Sequence, residues 1–183
     1  MLRSLVGSEM CIRDRFSTDL GSNRLKTSRI AKGTRISDEK LRELNTYFSS
    51  KRTWIGERDY LMYLIFITTG MRKSEVRKLQ IGDFYDYGDK FAVRFTAKGD
   101  NFNVAEIPQG IKHLLQSFMF RSGWDWSMRE QYVFTPENDF NKALSSRRLA
   151  YVFEDAYKAV GLPDTTRIHD LRHTYITLSL IHI

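Results

Sequence analysis

The segment 57–69 constrains the fold more than any other part of the chain. Most of its residues are apolar, so a helix formed by them has no polar face and has to lie at the centre of a core. Gly70 follows directly and suits the left-handed residue that ends many helices. The sequence therefore predicts a central helix over about 57–69, with Arg72 fixed just beyond its buried end. The strongly apolar run 60–67 is far shorter than the roughly 20 residues that a membrane-spanning helix needs, so we expect no membrane span.

Other segments carry helix signals. Ser37 is a typical N-cap, because Asp38 and Glu39 follow it in the first turn. Pro108 suits the first turn of a further helix. The apolar residues expected on the buried side of that helix are Ile111, Leu114, Leu115 and Phe118. Together the signals predict helices over about 37–48, 108–120 and 146–160, and a last one that begins near 168.

Two short segments alternate between apolar and polar residues, as strands do. They are 91–95 and 102–105, and the residues between them include Lys98-Gly99-Asp100-Asn101, which has turn chemistry. We expect a β-hairpin with Lys98 at its tip. The predicted fold class is therefore mainly α with a small antiparallel β-sheet, an α+β domain.

The charge of the chain favours a polyanionic partner. Lys and Arg number 29 against 22 Asp and Glu, which gives a net charge of +7 over 183 residues. Charge alone also fits an ordinary basic soluble protein. Cys11 is the single cysteine, so one chain can form neither a disulfide nor a thiolate metal site, and a reducing cytoplasm is the expected compartment.

Both ends of the chain resemble translated adapter DNA. The strings Met10-Cys11-Ile12-Arg13-Asp14-Arg15 and Leu178-Ser179-Leu180-Ile181-His182-Ile183 can be encoded by strands that are reverse complements over nearly their whole length. A transposon-end sequencing adapter read once on each strand has this property, so we interpret 1–15 and 178–183 as adapter-derived scars.

The residues between the scars divide into a linker and a domain. The segment 16–35 is interpreted as a basic linker, because most of it is rich in Lys, Arg, Ser and Thr and has no apolar period. This leaves 36–177 as one folded domain.

Two short strings carry the chemistry: Thr69-Gly70-Met71-Arg72-Lys73-Ser74-Glu75 and His169-Asp170-Leu171-Arg172-His173. Guanidinium groups are planar, permanently charged and bidentate toward phosphate oxygens. Arg72 and Arg172 can therefore clamp a phosphoryl group whose negative charge grows in the transition state. His169 lies three residues before Arg172, on the same face of a helix. Taken singly, each of these features is typical of a surface ion pair or a solvated side chain.

In this order, the motifs resemble those of the tyrosine recombinase (phage integrase) family over about residues 34–177. The string 69–76 resembles that family's first arginine box, Lys98 takes the place of its β-hairpin lysine, and 169–174 resembles its HisXxxXxxArg box. The resemblance implies the fold of the family's catalytic domain, a DNA breaking-rejoining enzyme fold, over 36–177.

The resemblance also implies roles for the motif residues. Arg72 and Arg172 would bind the non-bridging oxygens of the scissile phosphate, with Glu75 supporting Arg72. Lys98 would protonate the departing 5′-oxygen, and His169 would assist proton transfer from the attacking hydroxyl.

Three further residues are secondary candidates. His173 ends the second motif and is expected to support the site. Arg147 and Arg148 open a predicted helix, where they would meet DNA phosphates or lie on an ordinary solvated face.

The family's activity is site-specific DNA recombination or integration, by transesterification through a 3′-phosphotyrosyl intermediate. The resemblance implies double-stranded DNA as partner and a homo-tetramer on DNA for the full-length protein. It implies neither a metal nor a nucleotide cofactor, because bond energy is kept in the enzyme ester. Two alternatives stay open: a type IB topoisomerase, which shares the active-site residues, and a non-catalytic DNA-binding protein with the same fold.

The chain departs from the family pattern in three places. After the second box the family has a further His or Trp and then the tyrosine nucleophile, and this chain stops before either. We therefore expect an inactive, C-terminally truncated fragment, and we assign Tyr175, which lies too close to Arg172 to serve as nucleophile, to the core. The strand after Lys98 carries Asn103 and Glu106 where basic residues are common. The family's N-terminal helical domain is also missing.

Overall fold

The computed structural model of the protein describes residues 35–96 and 102–181. The α-helices in this part are α1 (Asp38–Ser49), α2 (Trp54–Thr69), α3 (Lys73–Val76), α4 (Gln109–Arg121), α5 (Ser146–Ala159) and α6 (Ile168–Ile181), and a short 3-10 helix spans Ile81–Asp83. The strands are β1 (Phe84–Tyr87), β2 (Lys90–Thr96) and β3 (Phe102–Ile107). They form one antiparallel sheet in the order β1-β2-β3. The predicted fold class, mainly α with a small antiparallel sheet, is confirmed.

The central helix predicted from the apolar segment is α2. It begins at Trp54, three residues before the predicted start, because the Thr53 side chain caps it by accepting a hydrogen bond from the Gly56 amide. The helix packs against α1, α4, α6 and β3. Its side chains supply a large part of the buried core, which also takes in residues of the sheet and of α5. The helices α1, α4 and α6 and the strand β3 are therefore positioned directly against α2, α5 packs on α1, and the rest of the sheet is joined to β3 through β2.

The start of α1 is tied to α6 by one threonine. Ser37 caps α1 as predicted, since its side chain accepts a hydrogen bond from the Lys40 amide. The Thr174 hydroxyl of α6 accepts a hydrogen bond from the Ile36 amide at 3.0 Å and donates one to the Asp170 carbonyl at 2.7 Å. Both ends of the described chain thus meet at α6, the helix that carries the second motif.

The hairpin is present, with one strand more than the sequence predicted. β2 and β3 pair antiparallel as expected, and β1 pairs with the other edge of β2 through a turn at Gly88. The sequence of β1, Phe84-Tyr85-Asp86-Tyr87, places one apolar residue on the buried face and leaves the rest half-buried or exposed. A strand with so little alternation of apolar and polar residues cannot be recognised from the sequence pattern.

The prediction for Leu114 is wrong. Its side chain is 41% exposed, whereas Ile111, Leu115, Phe118 and Met119 are buried. Leu114 lies at the edge of the helical face that these four buried residues form, so its side chain reaches solvent. Met119 takes the position that completes the buried stripe.

The predicted scars and linker lie largely outside the residues that the structure describes. The scar 1–15 and nearly all of the linker 16–35 lie outside the described residues, and those interpretations stay predictions. The backbone of α6 runs through 178–181, the first part of the second predicted scar. Among the helices of the described chain, none is both long and apolar enough to cross a bilayer.

Gly70 should be far less replaceable than a glycine in an open turn. It ends α2 at φ +60°, and a Cβ added there would overlap the Tyr175 ring, whereas Gly88, at φ +62°, has nothing within 4 Å. Both Gly→Ala changes carry a conformational cost of about 1–2 kcal/mol. Gly70→Ala adds an overpacking cost of at least about 1 kcal/mol. Urea unfolding of the two variants measures the difference, and equal losses would show that Tyr175 does not press on Gly70.

Candidate active site

One carboxylate fixes both the backbone and the side chain of Arg72. Arg72 lies between the end of α2 and α3, and its backbone amide donates a hydrogen bond to Glu75 Oε2 at 2.6 Å. Its guanidinium donates another to Glu75 Oε1 at 2.8 Å. The Glu75 side chain is 6% exposed and that of Arg72 is 45% exposed. The pair therefore has a buried anchor and an accessible cationic end.

Arg172 is held by the turn that precedes Arg72. Its guanidinium donates a hydrogen bond to the Gly70 carbonyl, and the side chain is half-buried. Burial lowers the pKa of Arg172 from its usual value, the charge of Arg72 lowers it further, and the Glu75 carboxylate opposes the shift. The guanidinium still stays charged at physiological pH. The two arginines are therefore close enough to repel each other, and an anion bound between them would relieve that repulsion.

Arg72, Arg172 and His169 line the same cavity. Its volume is about 370 Å³, and it is formed by residues of α3, α5 and α6 and by the approach to α6. His169 is exposed at the start of α6, one turn before Arg172. Asp170 fixes that start, because its Oδ2 accepts a hydrogen bond from the Arg167 amide at 2.7 Å. Residues nearly 100 positions apart in sequence thus share one concave surface.

Lys98 lies outside the described residues. A second cavity, of about 720 Å³, is lined by Arg72 and by residues at the ends of β2 and β3, among them Arg94, Thr96 and Phe102. Those strand ends flank the segment 97–101, which contains Lys98. The strands on either side of that segment therefore share a cavity with Arg72.

The secondary candidates lie outside the first cavity. The His173 ring contacts the Thr177 hydroxyl, with Nδ1 and Oγ1 3.2 Å apart. Arg147 is exposed and donates a hydrogen bond to the hydroxyl of Tyr151 at 2.7 Å, over whose ring it stacks. Arg148 is also exposed, and its backbone amide donates to the Ser145 N-cap. Both arginines open α5, the helix whose later turns line the cavity.

Sequence reasoning missed the part of the cavity that α5 contributes. The residues of this wall are Ala150, Phe153, Glu154 and Tyr157. Their spacing of three and four places them on one helical face, but that face overlaps the apolar stripe and is typical of core. Glu154 is a half-buried carboxylate, and Tyr157 is a buried phenol. Glu154 and Tyr157 can be assigned to the site only from the folded structure, in which α5 forms one wall of the cavity.

Tyr175 turns its ring toward the end of α2. The ring lies against Gly70, and the side chain is half-buried. It is absent from the lining of the cavity that holds Arg172. As for metals, the described residues contain no group of three or more His, Cys, Asp or Glu side chains that could hold an ion.

A family match covers most of the chain. The sequence profile of the phage integrase family matches residues 34–179. The chain therefore belongs to the phage integrase family.

Individual relatives agree with this assignment. The tyrosine recombinase XerH of Campylobacter jejuni is 26% identical over 122 residues, which is 66% of this chain and 33% of the relative. The chain thus spans about a third of the length of that curated relative.

Solved structures show the same fold. The XerH site-specific recombinase bound to a palindromic difH substrate superposes with a TM-score of 0.67 at 22% identity, over 81% of this chain and 42% of that one. A lambda integrase tetramer bound to a Holliday junction gives a TM-score of 0.61 at 17% identity, over 82% and 43% of the two chains.

Loss of the Glu75 charge should destabilise the protein more than loss of an exposed carboxylate. Glu75→Gln removes a charge that is buried and bonded to both parts of Arg72, so we expect unfolding to become easier by about 1–2 kcal/mol. Glu106→Gln is the matched control, because Glu106 pairs with Lys90 at 2.8 Å but is 59% exposed. It should change stability little. Chemical denaturation compares the two, and equal small effects would mean that Glu75 does not hold the Arg72 segment.

Proposed function

We propose that residues 36–177 form the catalytic domain of a site-specific DNA recombinase, which breaks and rejoins phosphodiester bonds through a 3′-phosphotyrosyl intermediate. The observation that carries the proposal is the placement of Arg72 and Arg172 beside each other in one cavity with His169. Each guanidinium makes one hydrogen bond within the described residues, to Glu75 and to the Gly70 carbonyl. An arginine has five N–H donors, so both retain donors for a ligand.

The proposed chemistry is an ester exchange at phosphorus. A tyrosine hydroxyl attacks the scissile phosphate, the bond from phosphorus to the 5′-oxygen breaks, and the 5′-hydroxyl leaves. Arg72 and Arg172 bind the non-bridging oxygens, where charge accumulates in the transition state. His169 assists removal of the tyrosine proton, and Lys98 gives a proton to the departing oxygen. Attack by another 5′-hydroxyl reverses the step without an external energy source.

Other residues are proposed to act through these groups. Glu75 positions Arg72 through the two hydrogen bonds it accepts from that residue. His173 supports the second motif from its place beside Thr177. Arg147 and Arg148 contact DNA phosphates from the first turn of α5. The tyrosine nucleophile is proposed to lie outside the 183 residues.

The relatives support double-stranded DNA as the substrate. XerH is seen on difH DNA and lambda integrase on a Holliday junction as a tetramer, and we propose that the complete protein likewise acts as a homo-tetramer on DNA in a bacterial cytoplasm. A type IB topoisomerase and a non-catalytic DNA-binding protein have less support, because the relatives matched in sequence carry the name of tyrosine recombinases.

Duplex DNA should bind weakly and with a strong dependence on salt. We expect Arg172→Gln to weaken binding roughly tenfold, the equivalent of one charge-assisted contact of about 1.5 kcal/mol. It should also reduce the slope of log affinity against log salt by about one. Fluorescence anisotropy of a labelled duplex at several salt concentrations measures both quantities.

The control for net charge is Arg129→Gln. Arg129 is exposed and lines neither of the cavities that contain Arg72. A loss of affinity for Arg172→Gln no larger than for Arg129→Gln would contradict the proposed phosphate site.

The chain should form no covalent adduct with a nicked duplex that traps 3′-phosphotyrosyl products. The two tyrosines nearest the arginines are unsuited to attack, since the Tyr175 ring packs on Gly70 and the Tyr157 hydroxyl is buried. Denaturing gels of the trapping reaction test this. An adduct that disappears in Tyr175→Phe or in Tyr157→Phe would identify a nucleophile within this chain and overturn the assignment.

A further inference from the structure

The second cavity carries positive charge that the proposed mechanism does not use. Its volume is about 720 Å³, and the cations that line it besides Arg72 are Lys78 and Arg94. Both residues are exposed, and neither forms an ion pair within the described residues. Two accessible cations beside the arginine of the first cavity therefore call for an anionic ligand of their own.

Two residues of the cavity wall fix the position of the Arg94 guanidinium. It lies over the Phe102 ring, with its central carbon 5.8 Å from the ring centre. Burial raises the pKa of the Asp83 carboxyl, and the nearby charge of Arg94 opposes that shift. Since Phe102 and Asp83 both line the cavity, a guanidinium close to both of them lies at the cavity as well. A guanidinium stacked on an aromatic ring keeps its in-plane N–H donors for a ligand.

The carboxylates of the same cavity are already engaged. Glu75 is buried and accepts hydrogen bonds from the backbone amide and the guanidinium of Arg72. Asp83 is half-buried, and its Oδ2 accepts a hydrogen bond from the Gln80 amide at 2.9 Å. The accessible part of the lining is therefore richer in cations than its composition alone indicates.

The first and second cavities adjoin at α3. Arg72 and Ser74 line both of them. Arg72 therefore stands at the boundary, with Arg172 in the first cavity and Arg94 in the second. A ligand that occupies both cavities needs negative charges repeated along its length, and a nucleic-acid strand has one at every phosphate.

We propose that the second cavity is a binding site for a backbone phosphate, and that Lys78 and Arg94 hold the phosphate next to the one bound by Arg72 and Arg172. The inference rests on the proposed function, since it takes the ligand of the arginine pair to be a phosphodiester. One strand then passes over α3 with successive phosphates in the two cavities. Arg94 supplies directional N–H donors and Lys78 supplies charge. Contacts at two neighbouring phosphates fix the register of the strand, which helps to place the scissile phosphate at the arginine pair.

The test compares two short ligands on the 183-residue chain. The thymidine dinucleotide dTpdT has a single phosphodiester, and the trinucleotide dTpdTpdT has a second one beside it. We expect the trinucleotide to bind about tenfold more tightly, because it adds a charge-assisted contact. A choice of two phosphates for one site would give an advantage of only about twofold. Titrations followed by nuclear magnetic resonance of the backbone amides measure both affinities.

Variants assign the additional affinity to the second cavity. Lys78→Gln and Arg94→Gln should each lower the affinity for the trinucleotide about three- to tenfold and leave that for the dinucleotide nearly unchanged. Arg172→Gln should weaken the binding of both ligands. The matched control for net charge is Arg52→Gln, because Arg52 is exposed and lines neither cavity.

The outcomes separate this inference from the proposed function. If Arg172→Gln weakens both ligands, and Lys78→Gln and Arg94→Gln do no more than Arg52→Gln, the first phosphate site stands and the second is wrong. Equal losses for both ligands in the Lys78 and Arg94 variants would also overturn the inference, because these cations would then act on the phosphate in the first cavity. If Arg172→Gln weakens neither ligand, the proposed function itself fails.

Discussion

The left-handed turn at Gly70 is the constraint on which the site depends. It ends the most deeply buried helix, and its amide closes that helix by donating to the Phe66 carbonyl at 3.1 Å. Its carbonyl accepts the hydrogen bond of Arg172, and the open side of its Cα receives the Tyr175 ring. Arg72 follows two residues later. A single residue without a side chain therefore sets the separation between two arginines that come from distant parts of the sequence.

The charges around this turn are arranged so that the free protein carries unrelieved repulsion. Glu75 is the carboxylate bonded to Arg72, while Arg172 has a neutral carbonyl as its partner. Burial and the neighbouring Arg72 guanidinium both lower the pKa of Arg172, because both disfavour its charged form. Under the proposed function, a bound phosphodiester would offset part of this cost while both arginines keep the hydrogen bonds that hold them. Rigid anchoring of the cations to helix ends is what makes that possible.

The sequence was sufficient for features that depend on local pattern. The apolar run of α2, the Ser37 cap and the alternation of β2 and β3 are each encoded within a few residues, and the elements formed where expected. Features that depend on packing were not accessible in the same way. Leu114 and Leu115 are the same residue type, so the packing of α4 against its neighbours decides which one is buried.

The residues of the site also differ in whether a local sequence pattern or only the packing of the chain reveals them. Arg72, Glu75, His169 and Arg172 were found from motifs because their residue types are unusual together, and their arrangement about Gly70 is a property of the folded chain. Glu154 and Tyr157 carry no such signal, since each occurs at a position of α5 that suits an ordinary amphipathic helix. Lys98 was assigned from its turn, and the strand ends beside it share a cavity with Arg72.

The wall formed by α5 makes the charge of the cavity asymmetric. It contributes Ala150, Phe153, Glu154 and Tyr157, and therefore no cation, while the positive side chains are those of Arg72, Lys73, Arg167 and Arg172. The Glu154 carboxylate repels an anion and the cations attract it, and both energies fall with distance. An anion in this cavity is therefore bound most favourably where it lies near the arginines and away from Glu154.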